Sequence, residues 1–555
     1  MSDLEKQSVP VDDDKSQKFS ESGEGEGITK LTDDRSDQSE HTGSQYGEFS
    51  NAEDMEMEKF FRLRKQLSHV SHMGKPLKMG PDMPIPPTLP EKPYIVRFEE
   101  NDDLNPLNWT FMRKCVSTVL LGLSTFTIAF GSSAFAPAVP FIAYEFGIGR
   151  VPATLGVSLY VAGFAAGPVF YGPMSEMYGR KLPIVISQFG LAVFSFGTAA
   201  AKDVQTIMLC RFFAGFTGSA AFAVVAGAMF DFCKPQHRGV ALMAFMSMVY
   251  AGTCVGAFIG GFVAESYLGW RWTSYLIGIV SAFAFAMDVF FLKESLGPLI
   301  LSRKAALLRR QTGNWAIHAT IDQVSLDLKE IMSTTITRPI RMIFTQPIVF
   351  LVGVYISFVY GILYLCLEAI PIVFMEHYGW SLGVSELPYI GVLLGVLIGV
   401  VYMIMLEPRY FRHLAANGFK PVPEARLDSL YLPGVIFPMG LFLTTWAGNY
   451  ADKVHWIVPV IGCVFIGFGI LAIFAGSLLY LSESYLPVVA SVMASNTFMR
   501  SGMAAAFPLF ANAMFHNMGL QWAGTLLGCI GVVLMPIPVI FRIYSAKLKK
   551  TIKYD

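Results

Sequence analysis

The chain has 555 residues, of which 53% are hydrophobic and only 15% are charged, and its mean hydropathy is +0.48. These values lie well outside those of soluble domains and exclude a soluble enzyme. Basic and acidic residues number 42 each, yet the acids crowd into the first hundred residues while the bases lie between apolar runs. This distribution indicates membrane topology and no nucleic-acid partner.

Residues 1–112 are predicted to form a disordered cytosolic tail. Up to about residue 101 the segment is rich in Ser, Gly, Asp and Glu and has no apolar run long enough to make a core. No basic region followed by a short apolar run begins the chain. We therefore expect no cleaved signal peptide and expect the first membrane span to direct insertion.

Twelve apolar runs follow, each long enough to cross a hydrocarbon core of about 30 Å as a helix. They lie near 114–142, 153–175, 182–200, 205–229, 240–264, 272–292, 347–375, 384–406, 431–448, 455–481, 488–514 and 521–542. A basic, polar stretch between the sixth and seventh runs divides them six and six. The predicted units are bundles over 113–293 and 346–542, a central cytosolic loop over 294–345 and a cytosolic tail over 543–555.

The distribution of Lys and Arg predicts the orientation, because these residues concentrate on the cytosolic side of membranes. If the N-terminus is cytosolic, most bases of the short connections and the whole central loop fall inside. The outer loops then hold only Arg150, Lys202, Arg271 and Lys453. Both termini are therefore predicted to be cytosolic.

No catalytic or metal-binding constellation appears in the sequence. The seven cysteines include no C-x-x-C pair, the histidines are scattered, and neither a G-x-S-x-G turn nor a Walker phosphate loop is present. We expect no enzyme activity, no cofactor and no nucleotide-driven pumping. Energy for transport must then come from an ion gradient or from the gradient of the solute itself.

The connection between spans 2 and 3 carries a short charged motif. Gly172, Glu176, Gly179, Arg180 and Lys181 combine glycines for a tight turn with an acid and two bases that can hold one conformation closed. The same pattern also fits a basic turn that only obeys the positive-inside rule. At this position the motif resembles the signature loop of the major facilitator superfamily, with Glu176 in place of the usual Asp.

Span 5 carries glycines at helical spacing, Gly252, Gly256, Gly260 and Gly261, the first three on one face of the helix. Such a face lets another helix approach closely, so tight packing is one interpretation. The placement is also similar to the antiporter motif of the same superfamily, although Ala257 stands where that motif has Pro.

Further segments resemble the fungal twelve-span drug:proton antiporters, and among them the polyamine and multidrug exporters. The similarity covers about residues 100–545. The segments that carry this resemblance are residues 105–109 before span 1, Arg211 with two glycines in span 4, residues 364–374 in span 7, and residues 494–510, which include Asn496, in span 11.

Ionisable groups deep in a span are candidate sites, because a charge there is costly and turns toward a cavity or a partner. Glu368 in span 7 is either a proton or cation site or a fixed charge paired with Arg211 or Arg500. The two arginines cannot lose their protons and suit fixed charges better. The resemblance implies a part for Arg211 in proton transfer. Asp288 and Glu145 are expected to be boundary charges.

Aromatic residues of spans 7, 9 and 11 could line a pocket for an amphipathic cation through cation–π attraction. The candidates are Tyr360, Tyr364, Trp446 and Phe498, with Asn496 as a polar neighbour. Each of the aromatic residues could instead face lipid or fill helix contacts.

The sequence thus predicts an all-α membrane protein of twelve transmembrane helices in two pseudo-symmetric six-helix bundles. We expect a monomeric, proton-coupled exporter of drugs, polyamines or other amphipathic solutes, whose partners are the substrate, protons and the lipid bilayer. We expect it in the plasma membrane, with the vacuolar membrane as the alternative. A nutrient symporter or uniporter and a non-transporting receptor remain rival hypotheses.

Overall fold

The computed structural model of the chain describes residues 95–98, 102–234, 238–312, 316–323, 328–418, 421–485 and 488–549. Across these ranges the chain is helical, and a single β-bridge pairs Ile95 with His318. The predicted disorder of the tail before residue 95 lies outside the described residues, as does the predicted cytosolic tail after residue 549.

Within the described residues, eleven helical segments are long and apolar enough to cross a membrane, and they form spans 1 to 10 and span 12. In chain order they are Phe111–Phe146, Arg150–Tyr178, Lys181–Ala200, Val204–Phe232, Arg238–Glu265, Arg271–Phe291, Pro347–His377, Leu382–Ala416, Pro423–Asn449, Ile457–Ser484 and Leu520–Ile543. The helix Val489–Met518 has 30 residues and occupies the place predicted for span 11. It is less apolar than the others because it carries Asn496, Arg500 and Asn512.

Prolines interrupt two spans. Span 1 breaks after Ser133, passes through a 3-10 turn at Ala136–Ala138 and resumes as a helix over Val139–Phe146. Span 7 changes to a π-helix at Ile372–His377, directly after Pro371. Proline has no backbone N–H and its ring collides with the preceding turn, so the regular hydrogen-bond ladder cannot continue there.

The two halves repeat one packing scheme, which agrees with the predicted pair of six-helix bundles. Spans 1 and 5, 2 and 4, 3 and 6, and 3 and 4 pack together in the first half. Their counterparts six spans later, 7 and 11, 8 and 10, 9 and 12, and 9 and 10, pack in the second half. The halves meet along two seams, where span 2 packs against span 11 and span 5 against span 8.

The central segment and the residues before span 1 are tied together. The segment forms helices Gly297–Thr312 and Leu328–Thr345. Lys304 Nζ donates to Asp102 Oδ2 at 2.5 Å. The Asn105 side chain caps a 3-10 turn at Pro106–Asn108. Residues 102–112 are therefore ordered, and the prediction of a disordered tail as far as residue 112 is wrong there.

The end of the bundle that carries the central segment is called the inner end below, because the sequence predicts it to be cytosolic. The opposite end is called the outer end.

Candidate functional site

A buried aromatic cluster surrounds Arg500 of span 11 between the two halves. The Arg500 Cζ atom lies 4.7 Å from the ring centre of Tyr360 in span 7. It lies 5.3 Å from the ring of Phe474 in span 10 and 5.5 Å from the ring of Phe222 in span 4. Rings from both halves therefore face one guanidinium.

Two further tyrosines extend this cluster. The ring of Tyr364 lies 5.4 Å from that of Tyr360, and its hydroxyl donates to Ser132 Oγ of span 1 at 3.0 Å. The ring of Tyr250 in span 5 meets Phe474 edge-on at 5.8 Å. We call this set the central cluster, made of Phe222, Tyr250, Tyr360, Tyr364, Phe474, Asn496 and Arg500.

The polar groups of the central cluster are poorly satisfied. Arg500 is buried, and within the described residues it has neither a carboxylate partner nor a hydrogen-bond acceptor. Asn496, one helical turn away on the same face, is buried with its Nδ2 donor unpaired. The Tyr250 hydroxyl is likewise buried without a partner among the residues described.

Two of the predicted pocket residues lie elsewhere. Trp446 is 38% exposed and donates through its indole N–H to Thr525 of span 12. Phe498 is 50% exposed, because a position two residues from Arg500 falls on the opposite side of span 11. The structure does not bring them to the central cluster; both lie on the outside of the bundle.

Glu368 joins the two halves near the outer end. Its Oε2 atom accepts a hydrogen bond from Arg150 Nη2, at the start of span 2, at 3.0 Å. Glu368 is buried and Arg150 is partly exposed. The cation that faces Glu368 is thus Arg150, which the sequence places in an outer loop, and neither Arg211 nor Arg500.

A second carboxylate, Glu386 of span 8, lies in the seam between spans 5 and 8. It is 1% exposed, and its Cγ atom packs against Gly261, where an added methyl group would lie 2.8 Å away. Its Oε2 atom has no hydrogen-bond partner among the described residues. Glu265 caps the same seam by accepting from the Gly383 N–H at 2.7 Å.

Arg211 lies inside the first half and apart from both carboxylates. Its Nε donates to the Gly156 carbonyl and its Nη1 to the Gly131 carbonyl, each at 3.0 Å. Its guanidinium sits 4.2 Å from the ring centres of Phe135 and Tyr160. Because these carbonyls belong to spans 1 and 2, Arg211 ties span 4 to both.

Asp288 is not a boundary charge, and that expectation is wrong. It is 1% exposed and accepts from Ser124 Oγ at 2.6 Å. Its side chain turns into the bundle from span 6, so interfacial water cannot solvate it. Glu145, by contrast, is exposed at the outer end and pairs with Arg271 at 2.8 Å.

The motif between spans 2 and 3 forms an inner charge cluster with distant acids. Arg180 Nε donates to Asp231 Oδ2 of span 4 at 3.1 Å, and the Arg180 and Lys181 N–H groups donate to Glu294 at 2.8 and 3.1 Å. Gly179 has φ +94°, which only glycine adopts readily. Gly172 and Glu176 stand in the last turns of span 2, and Glu176 is in no ion pair among the described residues.

The glycine face of span 5 packs against span 1. A methyl group on Gly252 would lie 2.5 Å from the Phe126 carbonyl oxygen, and one on Gly256 would lie 2.6 Å from that of Phe130. Gly260 meets the Ala134 carbonyl in the same way. Gly261 points instead to Glu386 across the seam.

The second half has its own inner ion cluster. Arg426 of span 9 pairs with Glu407 of span 8 at 3.0 Å and with Glu483 of span 10 at 2.9 Å. Glu407 also packs on Gly239 at the start of span 5, where any side chain would collide with it. This contact closes the seam between spans 5 and 8 at the inner end.

The sequence analysis missed several partners because they are far apart in the chain. Arg150, Asp231, Glu294, Tyr250 and Phe474 each meet their site only through packing between spans. Of the residues that the sequence analysis missed, only Glu386 could have been recognised as a candidate site from its local sequence, because it is an acid just inside an apolar run.

Comparison with known proteins identifies the family to which this architecture belongs. A profile described as Major Facilitator Superfamily matches residues 121–508. The chain is 45% identical over 492 residues to "Major facilitator superfamily multidrug transporter FLU1" of Candida albicans, covering 88% of this chain and 81% of the relative. It is 46% identical over 478 residues to "Multidrug transporter TPO1_2" of Candida glabrata, covering 86% and 82%.

A solved structure shares the fold at low sequence identity. It is the partially occluded inward-open xylose transporter XylE from E. coli, which matches with a TM-score of 0.55 and 16% identity. The match covers 78% of this chain and 98% of that one.

Proposed function

The chain belongs to the Major Facilitator Superfamily, and from this premise we propose that it is a proton-coupled exporter of drugs and other amphipathic compounds. The observation that carries the proposal is the central cluster. It is buried between the halves and is built by spans of both. A transport site needs this position if movement of the halves is to expose it to each side of the membrane in turn. The two fungal relatives, both multidrug transporters by name, support drugs as substrates.

Contacts at both ends of the seams support an alternating-access cycle. Arg150 with Glu368, and Glu265 with the Gly383 N–H, hold the outer end together. At the inner end the Glu407 carboxylate packs against Gly239. A solute reaches the central cluster only when one of these sets separates, and keeping the other set intact prevents a leak.

Buried carboxylates supply the means for proton coupling. Among the described residues no cation pairs with Glu386, and the Arg150 guanidinium is engaged by Glu368. A charge in that place would be uncompensated, so closure of the outer end follows once Glu386 has taken up a proton from the outer side. The proton then leaves to the inner side after the inner end has opened. Glu368 and Asp288 are the other candidates.

We place the protein in the plasma membrane as a monomer with both termini in the cytosol. The positive-inside bias and the charge clusters at the inner end support the orientation. In that orientation protons enter the cell while the solute leaves it.

Purified protein in liposomes of known orientation tests the proposal. An imposed pH gradient, acid on the outer side, should drive solute from the inner to the outer side, and collapse of the gradient should abolish accumulation. Solute movement with the protons would establish a symporter, and flux without proton dependence would establish a uniporter. Binding without flux would establish a receptor.

A further inference from the structure

We propose that the central cluster recognises a hydrogen-bond-accepting or anionic group on an aromatic solute, so that the substrate class is amphipathic organic acids and their neutral carbonyl-rich analogues. This inference rests on the proposed exporter function and names its substrate class. It departs from the cationic substrates that the sequence analysis favoured.

Three buried donors without acceptors carry the inference. Among the described residues, the Asn496 Nδ2 and the Tyr250 hydroxyl are buried without a partner. The third donor is the Arg500 guanidinium, which is buried against aromatic rings and has no acceptor in the described part of the chain. Arg500 and Asn496 are four residues apart on one helix face, and Tyr250 shares the Phe474 ring with Arg500. Because a buried donor without an acceptor destabilises the protein, a ligand that accepts hydrogen bonds from these groups removes that cost when it binds.

The charge of the site has one sign. Arg500 contributes a guanidinium, and among the described residues no carboxylate pairs with it. The carboxylate nearest along span 7, Glu368, lies one turn beyond Tyr364 and is engaged by Arg150. A solute cation would therefore meet an uncompensated positive charge, whereas a carboxylate would neutralise it and accept two parallel hydrogen bonds.

The walls of the site suit an aromatic body. Phe222, Tyr360 and Phe474 already present their rings to the guanidinium at 4.7–5.5 Å. An aromatic acid can place its carboxylate on Arg500 and its ring among these side chains. In the closed structure the rings occupy the space that such a solute would take, which fits a site that opens only when one seam separates.

Binding of a matched pair of probes to the purified full-length protein tests the inference. The probes are 2-naphthoate and naphthalen-2-ylmethylammonium, which share a ring system and differ in the sign of charge. Intrinsic fluorescence quenching and thermal unfolding report their binding in lipid nanodiscs. We expect the acid to bind at least about tenfold more tightly than the amine.

Variants on span 11 separate recognition from folding. Arg500→Met should abolish the preference for the acid, and it should raise the unfolding temperature of the unliganded protein because a buried unpaired charge is removed. Phe498→Leu, on the lipid side of the same helix, should keep the preference. Arg500→Lys should retain weaker discrimination.

Equal or tighter binding of the amine, or an acid preference that survives Arg500→Met, would overturn the inference. Flux in liposomes is measured separately. Gradient-driven export of cations with no acid preference would leave the exporter function standing and the inference refuted. Selective acid binding without any flux would refute the exporter function alone.

Discussion

Arg150 at the start of span 2 and Glu368 in span 7 form a 3.0 Å ion pair across the outer end of the two halves. The two residues are 218 positions apart in the chain. Their pairing makes closure of the outer end depend on a charge contact between the two bundles.

Breaking this pair should favour the outward-open form. Glu368→Gln removes the charge, and Arg150 is exposed enough to be solvated, so folding should survive. A loss of about 1 kcal/mol shifts the population roughly fivefold. Labelling of a Ser385→Cys reporter, buried in the closed seam, by an impermeant thiol reagent should rise by that factor. Unchanged labelling in Glu368→Gln would show that the pair does not hold the seam.

Glu386→Gln should fold normally and lose coupling to the pH gradient. The amide keeps the size of the carboxyl group and the neutral form that suits the closed seam, but it can neither take up a proton on the outer side nor release one on the inner side. Solute flux down its own gradient should persist, whereas accumulation driven by pH should fall about tenfold or more. Glu386→Asp should restore part of it. Normal pH-driven accumulation in Glu386→Gln would move the proton site to Glu368 or Asp288.

Gly256→Leu should destroy transport through overpacking. Any side chain at Gly256 presses on the Phe130 backbone and on Ser133, which cannot yield without moving span 1. The cost of such overpacking is about 1–3 kcal/mol or more. Gly502→Leu on span 11 is the matched control, because no described residue lies within 4 Å of a methyl group added at Gly502. Yield and flux should fall for the first variant only.

In the inner charge cluster, substitution of Asp231 should affect inward opening more than substitution of Glu176. Asp231→Asn removes the carboxylate that Arg180 contacts at 3.1 Å, so inward opening should become easier. Glu176→Gln changes a side chain with no ion pair among the described residues, and its effect should be small. Cysteine labelling from the inner side measures both. Equal effects of Asp231→Asn and Glu176→Gln would indicate that Glu176 controls inward opening as strongly as Asp231 does.

The Asp102–Lys304 contact should make stability depend on pH. The hydrogen bond from Lys304 lowers the pKa of Asp102 below its ordinary value. A lowered pKa in the folded state adds stability above the unfolded pKa of about 3.9, and this stability is lost as the pH falls through the folded pKa. Asp102→Asn should therefore lower the unfolding temperature at pH 7, and the difference from the parent should shrink toward pH 3. A difference that persists at low pH would contradict this account.

The sequence by itself determined the span positions and the division six and six, because a membrane requires long apolar helices and each can be read from local composition. The family followed from the resemblance of its short motifs. It also located the glycine face of span 5 and the aromatic pair Tyr360 and Tyr364, since helical spacing is a local property. Asn496 and Arg500 can likewise be recognised from the sequence of span 11 alone, because they are polar residues in an apolar run.

Only the tertiary structure decided which of these groups meet. The partner of Glu368 is Arg150, that of Arg180 is Asp231, and Glu386 has no cation partner in the part of the chain that the structure describes. The prediction that Trp446 and Phe498 line the pocket depended on helix rotation. Rotation of one helix by half a turn moves a side chain from the seam to the lipid-facing surface. Pairing across spans depends on helix rotation and depth, and neither is encoded by the residues of one span alone.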